Sequence, residues 1–67
     1  MEGPISLTKQ EARIAKLILA DKTNKEIASE LYISLSTVKT HIRNLYAKYE
    51  VSNRQQFAEK MNNQPGD

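Results

Sequence analysis

A four-residue pattern, serine or threonine followed three positions later by glutamate or glutamine, occurs at three well-separated points of this 67-residue chain. In this capping box the hydroxyl accepts from the backbone N–H of the third helical residue, and the acid or amide bonds back to the N–H of the capping residue. The three pairs are Thr8 with Glu11, Thr23 with Glu26 and Ser52 with Gln55. Ser34 supplies a further N-cap residue. We therefore predict four helix starts and an all-α, four-helix bundle-like domain.

Apolar periodicity gives the extent of each helix. We predict the first from Thr8 to about Ala20, and the others at 24–31, 35–49 and 53–61. The second and third are separated by only three residues, which is the spacing of a helix-turn-helix. We expect residues 1–6 to be a tail or the end of a linker, 7–62 to be the domain and 63–67 to fray, since Gly and Pro interrupt both ends.

Composition excludes several classes of function. The chain has no cysteine and a single histidine, His41, so we expect neither a metal site nor a cofactor. No Gly-rich phosphate loop and no nucleophile beside a base is present, so we expect no enzyme and no small-molecule substrate. No apolar run reaches the roughly 20 residues that cross a bilayer, and the N-terminus does not resemble a signal peptide. We therefore expect a cytoplasmic protein without membrane contact.

The predicted third helix has two chemically opposed faces. One carries the apolar stripe Val38, Ile42, Leu45 and Tyr49; the other carries Ser36, Lys39, Thr40, Arg43 and Ala47. The second face contains no acid, whereas a solvated face typically alternates glutamate and lysine four residues apart. A solvated basic face remains one reading. The absence of acid favours the other, a surface that meets phosphates and base edges in the major groove.

Aromatic and histidine side chains near this helix have simpler explanations. His41 borders the apolar stripe, so we expect a partly buried imidazole rather than a pH switch. We expect Tyr46 and Tyr49 to pack in the core, and Tyr32 in the turn is open to either role.

Five motifs in register resemble the LuxR-type (GerE- or NarL-like) DNA-binding domain. They are LT..E at 7–11, NKEIA at 24–28, L.IS at 31–34, TVK.H at 37–41 and K..V..R at 48–54. The resemblance implies a sequence-specific DNA-binding domain of a bacterial transcriptional regulator, such as a response regulator, that binds double-stranded DNA as a homodimer. It also implies a receiver or ligand-binding domain upstream.

The resemblance also implies roles for individual residues. Helix 35–49 would read the major groove through Lys39, Thr40 and Arg43. Phosphate contacts would come from Asn24, Lys25, Ser36, Thr37 and Lys48, although Thr37 could instead serve only in capping its own helix. The dimer contact would use Asn53, Gln56, Phe57 and Lys60 on the last helix.

Two positions depart from the family pattern, because Asp21 and Glu50 stand where the family often has glycine at a helix end. Glycine commonly supplies a left-handed residue there. We expect either that these residues adopt the left-handed conformation at some cost or that helix 3 ends differently.

Two other functions fit a helix-turn-helix. One is a module that docks an acidic protein through its basic face. The other is a promoter-recognition domain like the last domain of sigma factors, which shares the E-I-A and S-x-x-T-V patterns; the fourth helix argues against it.

Overall fold

The computed structural model of the chain describes residues 5–62, and within that range it contains four helices and no strand. The helices are α1 (Lys9–Leu19), α2 (Asn24–Leu31), α3 (Leu35–Tyr49) and α4 (Arg54–Asn62). The predicted all-α fold is confirmed. The bounds of α2 and α3 match the prediction, and α1 ends with Ala20 as its C-cap.

The first two helices begin as their capping boxes predict. Thr8 Oγ1 accepts from Glu11 N at 3.1 Å, and Glu11 Oε1 accepts from Thr8 N at 3.1 Å. The pair Thr23 and Glu26 makes the same reciprocal bonds, at 3.1 and 2.8 Å. These bonds satisfy N–H groups that a helix start leaves without partners, so each start is set by residues within one turn.

The predicted capping box of α4 is wrong by one residue. Asn53, not Ser52, is the N-cap: its Oδ1 accepts from Gln56 N at 2.8 Å. Gln56 Oε1 in turn accepts from Ser52 N at 2.7 Å, so Gln56 does what was expected of Gln55. Asparagine caps a helix as well as serine does, and here it takes the later position. The helix consequently begins at Arg54 and ends at Asn62 rather than at residue 61.

Three helix ends pass through the left-handed region at a residue other than glycine. The φ angles are 66° at Asp21, 57° at Tyr32 and 58° at Glu50. The left-handed expectation for Asp21 and Glu50 is confirmed, and Tyr32 was not anticipated. Each such residue costs roughly 1–2 kcal/mol relative to glycine, less for aspartate. The turns still satisfy the last carbonyls, since Val51 N donates to Tyr46 O at 3.0 Å.

The core lies around α3, which packs against each of the other three helices. One face of α3 contributes its apolar stripe, and the partners contribute one or two large side chains each. The buried apolar residues are Ile14, Ile18, Ile27, Val38, Ile42, Leu45 and Phe57. Tyr46 and Tyr49 pack partly buried against this core, as predicted, and His41 is half-buried. This packing turns the opposite face of α3 outward.

Candidate nucleic-acid interface

The outward face of α3 consists of the polar side chains that the sequence placed there. Ser36, Lys39, Thr40, Arg43 and Ala47 are all exposed. Lys39 and Arg43 lie one helical turn apart, and within residues 5–62 neither forms an ion pair. Their charges are therefore available to an external anion.

An open groove of about 380 Å³ runs beside this face. Lys39 and Arg43 line it together with Asn24 from the start of α2 and Ser52 from the turn before α4. Its apolar lining comes from Ile42, Tyr46, Ala47 and Val51. The tertiary fold thus brings the first residue of α2 next to the two long cations of α3.

A second open groove, of about 570 Å³, continues around the start of α2. Its lining holds four cations against one carboxylate, together with two polar side chains and one apolar side chain: Lys22, Lys25, Lys39, Arg54, Asp21, Thr23, Asn24 and Leu35. The N-terminus of a helix carries free N–H groups and a partial positive charge, both of which favour an anion. Asn24 and Lys39 line both grooves, so the predicted phosphate contacts Asn24 and Lys25 form one continuous surface with two of the predicted base readers, Lys39 and Arg43.

The hydroxyl groups near the start of α3 are engaged within the helix. Thr37 N donates to Ser34 Oγ at 3.1 Å, and the hydroxyls of Ser34 and Thr37 lie 2.8 Å apart. Thr40 Oγ1 donates to Ser36 O at 3.2 Å. Thr37 therefore takes part in capping, as one reading of the sequence expected. Because Thr40 uses its hydroxyl proton in this bond, its methyl group and its oxygen lone pairs remain for an outside partner.

Lys48, predicted to contact phosphate, is bound inside the domain. Its Nζ donates to Glu11 Oε1 at 2.6 Å and to Ser6 O at 3.0 Å. The Glu11 side chain is only 5% exposed and that of Lys48 36%. The hydrogen bond from Lys48, followed by that from the Thr8 backbone N–H, lowers the pKa of Glu11 below its ordinary value despite burial. The pair joins α1 to α3, and its two residues are 37 positions apart in the sequence. A phosphate contact by Lys48 stays a prediction.

Arg54 was not among the predicted site residues. It reaches from α4 to the end of α1, where Nη1 donates to Ile18 O at 3.4 Å, and to α2, where Nη2 donates to Asn24 Oδ1 at 3.3 Å. Burial raises the pKa of the Tyr46 phenol, and the charge of Arg54 partly offsets that rise. The only sequence signal was the arginine that closes the K..V..R motif, which carries no information about its contacts.

The predicted dimer residues on α4 divide into two groups. Asn53, Gln56 and Lys60 are exposed. Phe57 is 0% exposed, and its ring centroid lies 5.6 Å from that of Tyr46 and 5.4 Å from that of Tyr49. The dimer role predicted for Phe57 is wrong, because a side chain that fills the core has no surface left for a partner.

Residues 5–62 contain no group of three or more His, Cys, Asp or Glu side chains placed to hold a metal ion. Over the same range, each helix is too short or too polar to cross a bilayer.

Comparison with known proteins decides the family. The sequence pattern of the bacterial regulatory proteins of the luxR family matches residues 5–61. This chain belongs to the luxR family. It is a LuxR-type helix-turn-helix DNA-binding domain of a transcriptional regulator, in agreement with the resemblance that its motifs showed.

Several curated regulators share this LuxR-type domain. Over 53 residues the chain is 57% identical to the transcriptional regulatory protein LiaR of Bacillus subtilis, covering 79% of this chain and 25% of LiaR. It is 47% identical over 57 residues to the monoamine regulon transcriptional regulator of Klebsiella aerogenes, covering 85% of this chain and 25% of that protein. It is 52% identical over 50 residues to the spore germination protein GerE of Bacillus subtilis, covering 75% and 68%. The chain thus spans about a quarter of the first two regulators.

Proposed function

We propose that this domain recognises a specific DNA sequence by inserting α3 into the major groove. The single observation that carries the proposal is the outward face of α3, which holds two long cations without ion pairs among residues 5–62 and no acid. An α-helix fits the major groove of B-DNA, where each base pair presents a distinct pattern of donors, acceptors and methyl groups.

The side chains on this face suit different parts of that pattern. Arg43 carries a planar fork that pairs with O6 and N7 of guanine, and Lys39 can donate to the same acceptors. Thr40, whose hydroxyl proton is used within the helix, offers its methyl group to the methyl of thymine. We therefore assign base reading to Lys39, Thr40 and Arg43.

Phosphate contacts would hold α3 in register. Asn24 and Lys25 lie at the start of α2, where the helix dipole and free N–H groups add to the attraction of an anion. Ser36 and Thr37 lie in the first turn of α3. Lys48 can contribute only through the part of its amino group that Glu11 and Ser6 leave free. Such contacts make affinity fall steeply with salt.

The domain would bind a two-fold DNA site as a dimer, with each α3 in one major groove about one helical turn apart. The exposed N-cap residue Asn53 and the exposed side chains of Gln56 and Lys60 on α4 provide the surface for that contact. LiaR and the monoamine regulator are about four times as long as their match to this chain, which supports an attached regulatory domain, such as a receiver or a ligand-binding domain.

The substitution Arg43→Ala tests base reading. The preferred duplex is first selected from a random library, and binding is then measured on that duplex and on a random one. We expect Arg43→Ala to cost about 1–3 kcal/mol on the preferred duplex and much less on the random duplex. Selection of two-fold symmetric sequences would support the dimer, and selection of single half-sites would contradict it.

Arg13→Ala is the matched control, since Arg13 is an exposed arginine on α1 that lines neither groove. It should affect both duplexes slightly and equally. Equal weakening of both duplexes by Arg43→Ala would remove Arg43 from the base-reading set.

A further inference from the structure

Arg54 connects three helices at the edge of the proposed DNA surface. Its guanidinium donates to the carbonyl of Ile18 at the end of α1 and to the side-chain oxygen of Asn24 at the start of α2. Two acceptors at different places bind two different nitrogens of one planar group. The guanidinium is therefore fixed in orientation relative to both helix ends.

This contact has a direct consequence for the amide of Asn24. A side-chain amide is planar, with one acceptor oxygen and one NH₂ donor group on the same carbon. When Oδ1 is held by Arg54, the rotation of the amide is set and Nδ2 must face away from the guanidinium. Nδ2 has no hydrogen-bond partner among residues 5–62, and Asn24 lines both grooves, so Nδ2 is a donor at the surface that would meet phosphate.

We propose that Arg54 is a positioning residue for DNA binding: it holds Oδ1 of Asn24 so that Nδ2 donates to a phosphate oxygen of the bound duplex. The proposal rests on the proposed function, in which the start of α2 contacts the DNA backbone. A free asparagine would present either its oxygen or its nitrogen to the phosphate, and the oxygen would repel it. Arg54 removes that unfavourable orientation before DNA arrives.

A direct ion pair between Arg54 and phosphate is the competing explanation, and charge separates the two. Lysine keeps the positive charge but carries a single nitrogen in place of the planar fork, so Arg54→Lys does not reproduce the fixed geometry in which Nη1 bonds Ile18 O and Nη2 bonds Asn24 Oδ1. A direct phosphate contact tolerates lysine, which binds phosphate as a point charge. A positioning role does not tolerate lysine.

The experiment measures affinity of the 67-residue chain for a random duplex at several salt concentrations, with Arg54→Lys, Arg54→Met, Asn24→Ala and the double variants. We expect each Arg54 variant to weaken binding about three- to tenfold, the range of one lost hydrogen bond. In the Asn24→Ala background neither Arg54 variant should change affinity by more than about twofold, because the group that Arg54 positions is gone. The salt dependence of Arg54→Lys should equal that of the unsubstituted chain.

A second measurement is independent of DNA. The side-chain NH₂ resonances of Asn24 in an ¹⁵N correlation spectrum should shift in both Arg54 variants and remain unchanged in the control Arg13→Met. Thermal melting of every variant shows whether it is folded under the conditions of binding. If Arg54→Met is unstable, the measurements rely on Arg54→Lys, because it retains the charge and most of the side-chain volume.

Retention of full affinity by Arg54→Lys, together with a salt slope that falls by about 0.9 in Arg54→Met, would overturn the proposal in favour of direct charge neutralisation. Additive effects of the Arg54 and Asn24 substitutions would overturn it as well. Absence of DNA binding by the unsubstituted chain would instead overturn the proposed function, and the positioning role with it.

Discussion

The three cations of α3 lie on one helix and have different fates. Lys39 and Arg43 project from the outward face and form no ion pair among residues 5–62, whereas Lys48 reaches inward to Glu11 and Ser6. At about 100° per residue, Lys48 lies about 140° around the helix from Arg43. Lysine therefore stabilises the fold at position 48, near the end of α3, whereas lysine at position 39 remains available for recognition. A basic helix is not uniformly a DNA-binding surface.

The largest expected effect is a difference in the free energy of unfolding between substitutions of Lys48 and of Lys39. Lys48→Met removes the ammonium and leaves the buried carboxylate of Glu11 without its charged partner. We expect the free energy of unfolding to fall by about 1–3 kcal/mol, between the values for exposed and for fully buried pairs, because Lys48 is partly exposed. Urea or thermal unfolding measures the change.

Lys39→Met is the matched control on the same helix. It should change the free energy of unfolding by no more than about 0.5 kcal/mol, as is usual for an exposed site. If the two substitutions destabilised the domain equally, the distinction between the bound and the free cations would be wrong.

A smaller effect should come from the backbone at the same end of α3. Glu50, two residues after Lys48, has φ 58° at the C-cap. Glu50→Gly should raise the free energy of unfolding by about 1 kcal/mol, because glycine adopts this conformation without a Cβ clash. The control Glu59→Gly, inside α4, should lower it by about 1 kcal/mol. A melting temperature of Glu50→Gly at or below that of the unsubstituted chain would contradict the expectation.

The smallest effect is a pH dependence of the Lys48 contribution. The pKa of Glu11 is lowered in the folded domain, so the unfolded chain binds its proton first as the pH falls. The stabilisation is therefore complete above the ordinary glutamate pKa of about 4.3 and is lost as the pH falls through the folded pKa. The difference in unfolding free energy between the unsubstituted chain and Lys48→Met should shrink from pH 6 to pH 3. A constant difference would show that the pair does not depend on the ionised carboxylate.

Local patterns predicted most of this fold. The boxes at Thr8 and Thr23, the N-cap at Ser34 and the left-handed ends at Asp21 and Glu50 all involve atoms within one helical turn. The error at the start of α4 arose because Ser52 and Asn53 are adjacent residues of similar capping strength, and the left-handed Tyr32 was not anticipated either. Periodicity alone gave the two faces of α3.

Contacts between distant residues were beyond such patterns. The dimer role of Phe57 rested on the family resemblance alone, and its packing against Tyr46 and Tyr49 shows that its side chain completes the core instead. The reach of Arg54 to Asn24 spans 30 positions. No repeating pattern in the chain records either contact.

The sequence by itself determined the bounds of the first three helices, which face of α3 is polar and which family the motifs resemble. Those features depend on hydrogen bonds and side-chain spacing over three or four residues. The tertiary structure alone decided that Lys48 is bound to Glu11, that Lys39 and Arg43 form no ion pair within the described range 5–62, and that Arg54 holds Asn24. Such pairings depend on how the helices pack, because a long side chain bonds whatever partner the fold brings within its reach.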